Sequence, residues 1–170
     1  MRLYRKTNVT LQKANRSWII WVTLFMAYVL CLLPMPSWLA IGRPEWLAMV
    51  VIYWGMALPE RMGIFTAWTL GILLDVMQGV LLGQNALGMV VVAYVALRLH
   101  RRIRVFPLLQ QSLFILVLVG IYQLISLWAR SVVGRMPPNL LFMMPAVVSA
   151  VLWPWLFIIL RDIRRRYKVS

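Results

Sequence analysis

Six apolar runs, joined by short connections that carry nearly all of the charge, constrain this chain more than any other feature. Of its 170 residues, 63% are hydrophobic and 13% are charged, whereas about a quarter of a soluble domain is charged. So few charged side chains could not cover a water-facing surface, and the lipid bilayer is therefore the expected solvent. We predict an all-α integral membrane protein with six transmembrane helices, over residues 18–36, 45–58, 62–82, 85–99, 107–129 and 140–160.

The six runs differ in length. The third, fifth and sixth have the twenty or so residues that a span needs, and the first is close to that length. Runs 45–58 and 85–99 are short, and each reaches only about 20 Å as a helix. Two re-entrant hairpins in their place would leave the termini on the same side of the membrane. We favour six spans.

Basic residues are distributed very unevenly between the two sides of this predicted topology. Fifteen of the 18 Lys and Arg residues fall on the side of the termini. By the positive-inside rule, both termini of this multi-pass protein are then cytoplasmic, the orientation signal of an inner-membrane protein. The predicted organisation is a basic cytoplasmic tail (1–17, leading into an uncleaved signal anchor), a six-helix transmembrane domain (18–160) and a basic cytoplasmic C-terminal tail (161–170).

The net charge of +14 does not indicate nucleic-acid binding, because the basic residues cluster at the ends of the apolar runs. Such clusters set topology, and they also attract anionic phospholipid headgroups or an acidic cytoplasmic partner. Both interpretations stay open for the cytoplasmic arginines Arg98, Arg101, Arg102, Arg104, Arg164, Arg165 and Arg166.

Small residues recur at steps of four along the third run, and one carboxylate interrupts the row. Residues four apart share a helix face, so the row predicts a groove that another helix could approach closely. The approaching helix could belong to this chain or to a partner protein. The row consists of Gly63, Ala67, Gly71, Asp75, Gly79 and Gly83.

Asp75 is the one acidic residue deep within an apolar run. A carboxylate in the hydrocarbon core costs free energy unless it has a hydrogen-bonding or charged partner or contacts water, which makes Asp75 a candidate functional residue. It could equally fix the register of the helices through hydrogen bonds. We predict an intramembrane polar pocket that opens outward. Its candidate residues are Asp75, Tyr122, Gln123, Ser126 and Arg43, with Gln84 and Asn85 on the neighbouring turn.

The chain lacks the residues that common membrane enzymes need. One histidine excludes a His-Glu-x-x-His metal site, and a single intramembrane aspartate excludes a two-aspartate protease. No acidic cluster is present for magnesium, and the one cysteine, Cys31, cannot form an intrachain disulfide. We predict a non-enzymatic protein with no catalytic residues, no metal and no cofactor.

Four short motifs, in this order, carry a family resemblance. They are Arg43-Pro44-Glu45-Trp46, the stretch from Tyr53 to Gly63, the Gly71-x-x-x-Asp75-x-x-x-Gly79-x-x-x-Gly83 row, and Leu152-Trp153-Pro154-Trp155. With this order and spacing the chain resembles the rod shape-determining MreD family of Gram-negative, gammaproteobacterial type.

The resemblance implies a scaffold subunit of the cell-wall elongation complex, the elongasome, which maintains rod shape and organises lateral peptidoglycan synthesis. It implies an MreC-like single-span periplasmic partner and indirect links to the MreB filament, to RodA and to its penicillin-binding partner. It also implies a fold similar to the substrate-binding subunits of energy-coupling-factor transporters. The alternative function is that of a small-molecule or lipid-binding transporter subunit with an outward-facing pocket around Asp75. A third possibility, an ion-coupled transporter, has less support because no inverted repeat is evident in the sequence.

Overall fold

The computed structural model describes residues 18–34, 36, 42–132, 134 and 140–167, and the predicted tail 1–17 lies outside these residues. All regular secondary structure in the described residues is helical. The elements in chain order are α1 (Trp18–Leu32), α2 (Trp46–Ala57), α3 (Ile64–Gln78), α4 (Gln84–Ile103), α5 (Leu108–Val132), a 3₁₀ turn (Leu140–Met143) and α6 (Met144–Arg166). The six predicted apolar runs thus correspond to six helices in the described part of the chain.

Helix lengths bear directly on the prediction of six spans. Among the described residues, α5 and the stretch Leu141–Arg166 are long and apolar enough to cross a membrane, each with a mean hydropathy of 2.1. Helices α1, α2 and α3 have 15, 12 and 15 residues, and at 1.5 Å per residue they reach roughly 18 to 22 Å, less than a hydrocarbon core of about 30 Å. The apolar helices fit a membrane protein, and the six-span topology stays a prediction.

The predicted C-terminal ends of the third and fourth helices are wrong. The third run was expected to continue as a helix to Leu82, but α3 ends at Gln78 because Gly79 has a left-handed φ of 61°. Helix α4 then begins at Gln84 and extends to Ile103, beyond the expected end at residue 99. The third helix is therefore shorter than predicted and the fourth is longer.

Helix α2 is the centre of the bundle. Every residue from Leu47 to Ala57 is buried, as expected for a helix that is apolar on all sides. Helices α1 and α4 make its largest contacts, and α5 and α6 make smaller ones. Helices α1, α4, α5 and α6 lie against α2, whereas α3 packs mainly against α4. Many apolar side chains of these outer helices are exposed on the outside of the bundle.

Close helix crossings occur where a small residue removes side-chain bulk. A Cβ atom added to Gly71 on α3 would lie 2.4 Å from the Cα of Ala86 on α4, which is too close for any side chain. At Gly88 an added Cβ would lie 2.5 Å from the Tyr122 ring on α5. Helix α4 is therefore held tightly between α3 and α5.

Several helix ends are capped by side chains from elsewhere in the chain. The last carbonyls of a helix have no partner within it, and lipid offers none, so such caps are required wherever a helix ends in the membrane. The capping bonds are Arg43 Nη2 to the Leu30 carbonyl (3.1 Å), Arg104 Nη2 to the Ala57 carbonyl (3.1 Å), and Gln111 Nε2 to the carbonyls of Ile103 (3.2 Å) and Phe106 (3.0 Å).

Candidate functional site

The turn between α3 and α4 places Asp75 beside the start of α4. Gly79 ends α3 with a left-handed φ of 61°, and Gly83 precedes α4 with a φ of 99°. The Val80 N–H donates to the Asp75 carbonyl at 3.1 Å, which closes the last turn of α3. The chain then reverses direction, so that the last turn of α3 faces the first turn of α4.

The carboxyl group of Asp75 caps the N-terminus of α4. Its Oδ1 accepts a hydrogen bond from the Asn85 N–H at 2.8 Å. Its Oδ2 accepts from the Gly83 N–H at 2.9 Å and, at a longer 3.4 Å, from the Ala86 N–H. The side chain is completely buried. Asp75 therefore supplies the acceptors that the first turn of α4 lacks, the role an N-cap residue usually has, but from a different helix.

The side chain of Asn85 extends this polar network to α5. Its Nδ2 donates to Gln78 Oε1 at 3.1 Å, and its Oδ1 accepts from the Tyr122 hydroxyl at 2.7 Å. Asp75 and Tyr122, both predicted pocket residues, are therefore joined by hydrogen bonds through Asn85. Gln78 was missed by the sequence reasoning, although its position three residues after Asp75, on the same side of α3, was a usable signal.

Two further predicted pocket residues, Gln123 and Ser126, are buried and each has an unpaired oxygen among the described residues. Their side chains are 2% and 3% exposed, and Gln123 Oε1 and Ser126 Oγ have no hydrogen-bond partner among the described residues. No hydrogen bond in the described part of the chain joins either residue to Asp75. Buried unpaired oxygens are uncommon, so these two are the best candidates for an additional contact.

The remaining predicted pocket residue, Arg43, caps α1 through the Leu30 carbonyl and does not bond to Asp75. A second arginine, Arg130 on α5, was not predicted to take part. With the Gln84 amide oxygen turned toward it, Gln84 accepts from Arg130 Nε at 3.0 Å and from Nη2 at 3.3 Å. Of the predicted pocket residues, Asp75 and Tyr122 are thus linked through Asn85, whereas Arg43 caps α1 and the oxygens of Gln123 and Ser126 are outside this network. No cluster of three metal-ligating side chains occurs among the described residues.

The predicted row of small residues does not form one groove. Ala67 and Gly71 lie on α3 and are buried, with Gly71 pressed against α4. Gly63 precedes α3, and Gly79 and Gly83 lie beyond its end in positive-φ turn conformations. A row at steps of four shares a face only while the helix continues, and this helix ends at Gln78. The expectation of a five-residue helical groove was therefore wrong, because α4 of the same chain fills its centre.

The predicted basic residues gather at one end of the bundle, where α4 and α6 both terminate; we call this the arginine-rich end. Arg164 is partly exposed, and the other six are exposed. Arg104 also donates to the last carbonyl of α2, so it contributes to the fold as well as to the surface charge. The set is Arg98, Arg101, Arg102, Arg104, Arg164, Arg165 and Arg166.

Two cavities border α1, and neither is lined by a predicted pocket residue. The α1–α3 cavity, about 330 Å³, is lined by Ile20, Trp21, Leu24, Arg61, Met62 and Thr66. The α1–α6 groove, about 280 Å³, is apolar apart from Thr23 and the indole of Trp46 and has part of α2 as its floor. Both open on the outer surface of the bundle.

Comparison with known proteins decides the family. The family model for the rod shape-determining protein MreD matches residues 12–163. The chain belongs to the MreD family. It is also 30% identical over 153 residues to the rod shape-determining protein MreD of Haemophilus influenzae, a match that covers 89% of this chain and 94% of that protein.

Membership of the MreD family supports a role in rod shape determination, and this family is not a known enzyme family. No solved structure matches the chain. The predicted similarity to substrate-binding subunits of energy-coupling-factor transporters therefore stays a prediction.

Proposed function

We propose that the chain is a non-enzymatic, multi-pass scaffold subunit of the elongasome in the bacterial inner membrane, with both termini in the cytoplasm. It binds an MreC-like single-span periplasmic protein and is linked through it to the MreB filament, to RodA and to its penicillin-binding partner. In this way it helps to organise lateral peptidoglycan synthesis and to maintain rod shape. Family membership and the concentration of basic residues on one side support this proposal.

The α1–α3 cavity is the observation that best supports a partner-binding surface. Helix α3 packs mainly against α4 and only lightly against α1, so a partner's helix can lie along the outside between α1 and α3. The cavity of about 330 Å³ on this side can receive a large side chain of that helix. Elsewhere on the surface of α3, Phe65 and Trp68 are exposed with ring centroids 5.7 Å apart.

Filling the α1–α3 cavity tests this surface. Thr66 lines the cavity, and Thr69, one turn further along α3, does not. We expect Thr66→Trp to lower recovery of the MreC-like partner by about tenfold on affinity purification from native membranes, the effect of displacing one anchoring side chain. Thr69→Trp is the matched control and should leave recovery unchanged. Equal recovery with both variants, at equal membrane levels, would reject this surface.

Gly79→Leu, which the small-residue row would suggest, does not test partner binding. The left-handed φ of 61° at Gly79 strains any side chain there. A loss of partner with this variant would report a damaged α3–α4 turn.

The cytoplasmic arginines support a second contact of this scaffold. Exposed guanidinium groups at the ends of α4 and α6 can bind anionic phospholipid headgroups or an acidic cytoplasmic surface. Replacing Arg101 and Arg102 by Gln together should weaken binding of the purified protein to anionic vesicles while leaving its melting temperature unchanged. Unchanged vesicle binding would show that these two arginines act only in setting the orientation of the protein in the membrane.

The unpaired oxygens of Gln123 and Ser126 favour one alternative function, binding of a small polar molecule as in a transporter substrate subunit. Asp75 is already engaged by backbone N–H groups, so the alternative rests on these two side chains. It predicts a co-purified small molecule that Gln123→Leu loses. Mass spectrometry of the detergent-purified protein that finds only bulk lipid would reject this alternative.

A further inference from the structure

Helices α1 and α3 lie side by side, and their exposed side chains form one outer face of the bundle, which we call the α1–α3 face. The Tyr28 hydroxyl on α1 donates to the Leu70 carbonyl on α3. One turn nearer to the start of each helix, Leu24 and Thr66 line the α1–α3 cavity together. Both contacts join residues 42 positions apart in the chain, so the two helices run parallel and cover the same depth of the bundle.

The exposed side chains of the α1–α3 face are apolar from Trp18 to Leu32 on α1 and, apart from Thr69, from Ile64 to Met77 on α3. The Thr69 hydroxyl donates to the Phe65 carbonyl at 2.9 Å, so its hydrogen is satisfied within the helix. A partner helix lying between α1 and α3 is about 10–12 Å across and leaves the outer sides of both helices uncovered. In a membrane protein those sides contact the hydrocarbon of the lipid.

This face is too short for a bilayer of ordinary thickness. The helical rise is about 21 Å from Trp18 to Leu32 and about 20 Å from Ile64 to Met77, whereas a hydrocarbon core is about 30 Å thick. A long helix such as α5 adapts by tilting, but tilt only reduces the reach of a short one. A short helix instead needs a thinner bilayer, or polar flanking side chains that extend outward to the membrane surface.

Two arginines mark the polar boundaries of the α1–α3 face and decide between these two solutions. Arg61 lines the α1–α3 cavity together with Trp21, and Arg43 donates through Nη2 to the Leu30 carbonyl at 3.1 Å. Trp21 and Leu30 are only about 14 Å apart along α1. A guanidinium group stays charged and needs water or headgroups. Because Arg43 is bonded to the last turn of α1, it does not extend outward from the helix, and the membrane surface must come to it.

We propose that the α1–α3 face binds a locally thinned bilayer, with a hydrocarbon core of about 21 Å beside these two helices. The face thus favours lipids with short or disordered acyl chains, whatever the charge of their headgroups. This inference rests on the proposed multi-pass arrangement, in which α1 and α3 cross the membrane. A partner helix that docks between α1 and α3 then needs an apolar stretch of only about 14 residues.

Spin labels that report immersion depth test the thinning in the full-length protein. Single cysteines are introduced at Phe25, the midpoint of α1, and at Val151 on α6, after the buried Cys31 has been replaced by alanine. The native side chains at the two positions are 69% and 73% exposed, so the labels should leave the fold intact. Val151 is the matched control, because it lies in the stretch Leu141–Arg166, which is long enough to cross a membrane.

The depth of each nitroxide is measured from its collision rates with oxygen and with a polar nickel chelate, in vesicles of dioleoyl phosphatidylcholine. We expect about 10 Å at Phe25 and about 15 Å at Val151, half of the local core thickness in each case. In vesicles of dimyristoleoyl phosphatidylcholine, which has shorter chains, the depth at Val151 should decrease and the depth at Phe25 should not change. Equal depths in the dioleoyl vesicles, or a depth at Phe25 that follows the chain length, would overturn the proposal.

Two further labels separate the thinning from the topology on which it rests. Trp18 and Leu32 are exposed at the two ends of α1. If α1 crosses the membrane, labels at both ends are shallower than the label at Phe25. That pattern combined with a depth of about 15 Å at Phe25 would reject the thinning and keep the span. A depth that increases steadily from Trp18 to Leu32 would reject both, because α1 would not cross the membrane.

Discussion

Replacing Asp75 by leucine should destabilise the protein severely, because the change leaves backbone donors of α4 without an acceptor. The N–H groups of Asn85 and Ala86 are buried and bond to the carboxyl group at 2.8 and 3.4 Å, and the Gly83 N–H, at 2.9 Å, is partly buried. An unsatisfied buried donor costs about 1–3 kcal/mol, so the two buried groups alone cost about 2–6 kcal/mol. The free energy of unfolding of a typical protein is about 5–15 kcal/mol, so this loss is a large fraction of it.

The assay is thermal unfolding of the detergent-purified protein, followed by intrinsic tryptophan fluorescence. We expect the midpoint for Asp75→Leu to fall by on the order of 10 °C, with poor membrane accumulation. Asp75→Asn keeps one acceptor oxygen and should fall by about half as much. Asp162→Leu makes the same replacement at an exposed position of α6 and should have little effect. The capping role is refuted if the Asp75→Leu variant has the same unfolding midpoint as the unmodified protein and yet no longer recovers the MreC-like partner. Asp75 would then serve partner binding.

Three further predictions use the same melting assay. Gly71→Ala places a Cβ 2.4 Å from the α4 backbone and should lower the free energy of unfolding by about 1–3 kcal/mol. In the control Gly63→Ala the added Cβ meets no atom within 4 Å, and the loss should be less than about 1 kcal/mol. Equal unfolding midpoints for the two variants would contradict the tight crossing. Gln111→Leu removes the cap of α4 and should cost about 2–4 kcal/mol, and a neutral result would show that water replaces it. Tyr122→Phe removes one buried hydrogen bond to Asn85 and should cost about 1 kcal/mol; no change would mean that the bond is not formed.

The number and order of the helices could be predicted because each apolar run is bounded by charges, proline or glycine. The residue at which α3 ends could not be predicted in this way. Glycines at steps of four are compatible with a continuous helix face and also with a helix that stops at a left-handed glycine. The two cases differ in the φ of Gly79, which depends on how α4 returns along α3, and that tertiary contact is not visible in local spacing.

The importance of Asp75 was predictable, but most of its partners were not. A lone carboxyl group in an apolar run must be satisfied, and the sequence-based prediction named side chains on α5, on the neighbouring turn and in the outer loop that could do so. The structure instead uses backbone N–H groups at Gly83, Asn85 and Ala86. Every residue has such a group, so no sequence signal marks the ones that are used. Proximity along the chain was the better guide, since Asn85 was among the neighbouring candidates.

Most polar side chains in the interior are already engaged in hydrogen bonds that cap helix ends. Asp75 caps the start of α4 and Gln111 caps its end, while Arg104, whose side chain is exposed, caps the end of α2. Such capping supplies partners for backbone groups at helix ends that lie among other helices, where lipid could not satisfy them. It follows that substitutions in this interior change stability first. Substitutions on the outer surface, such as those at Thr66, are the ones that can change binding while the fold remains intact.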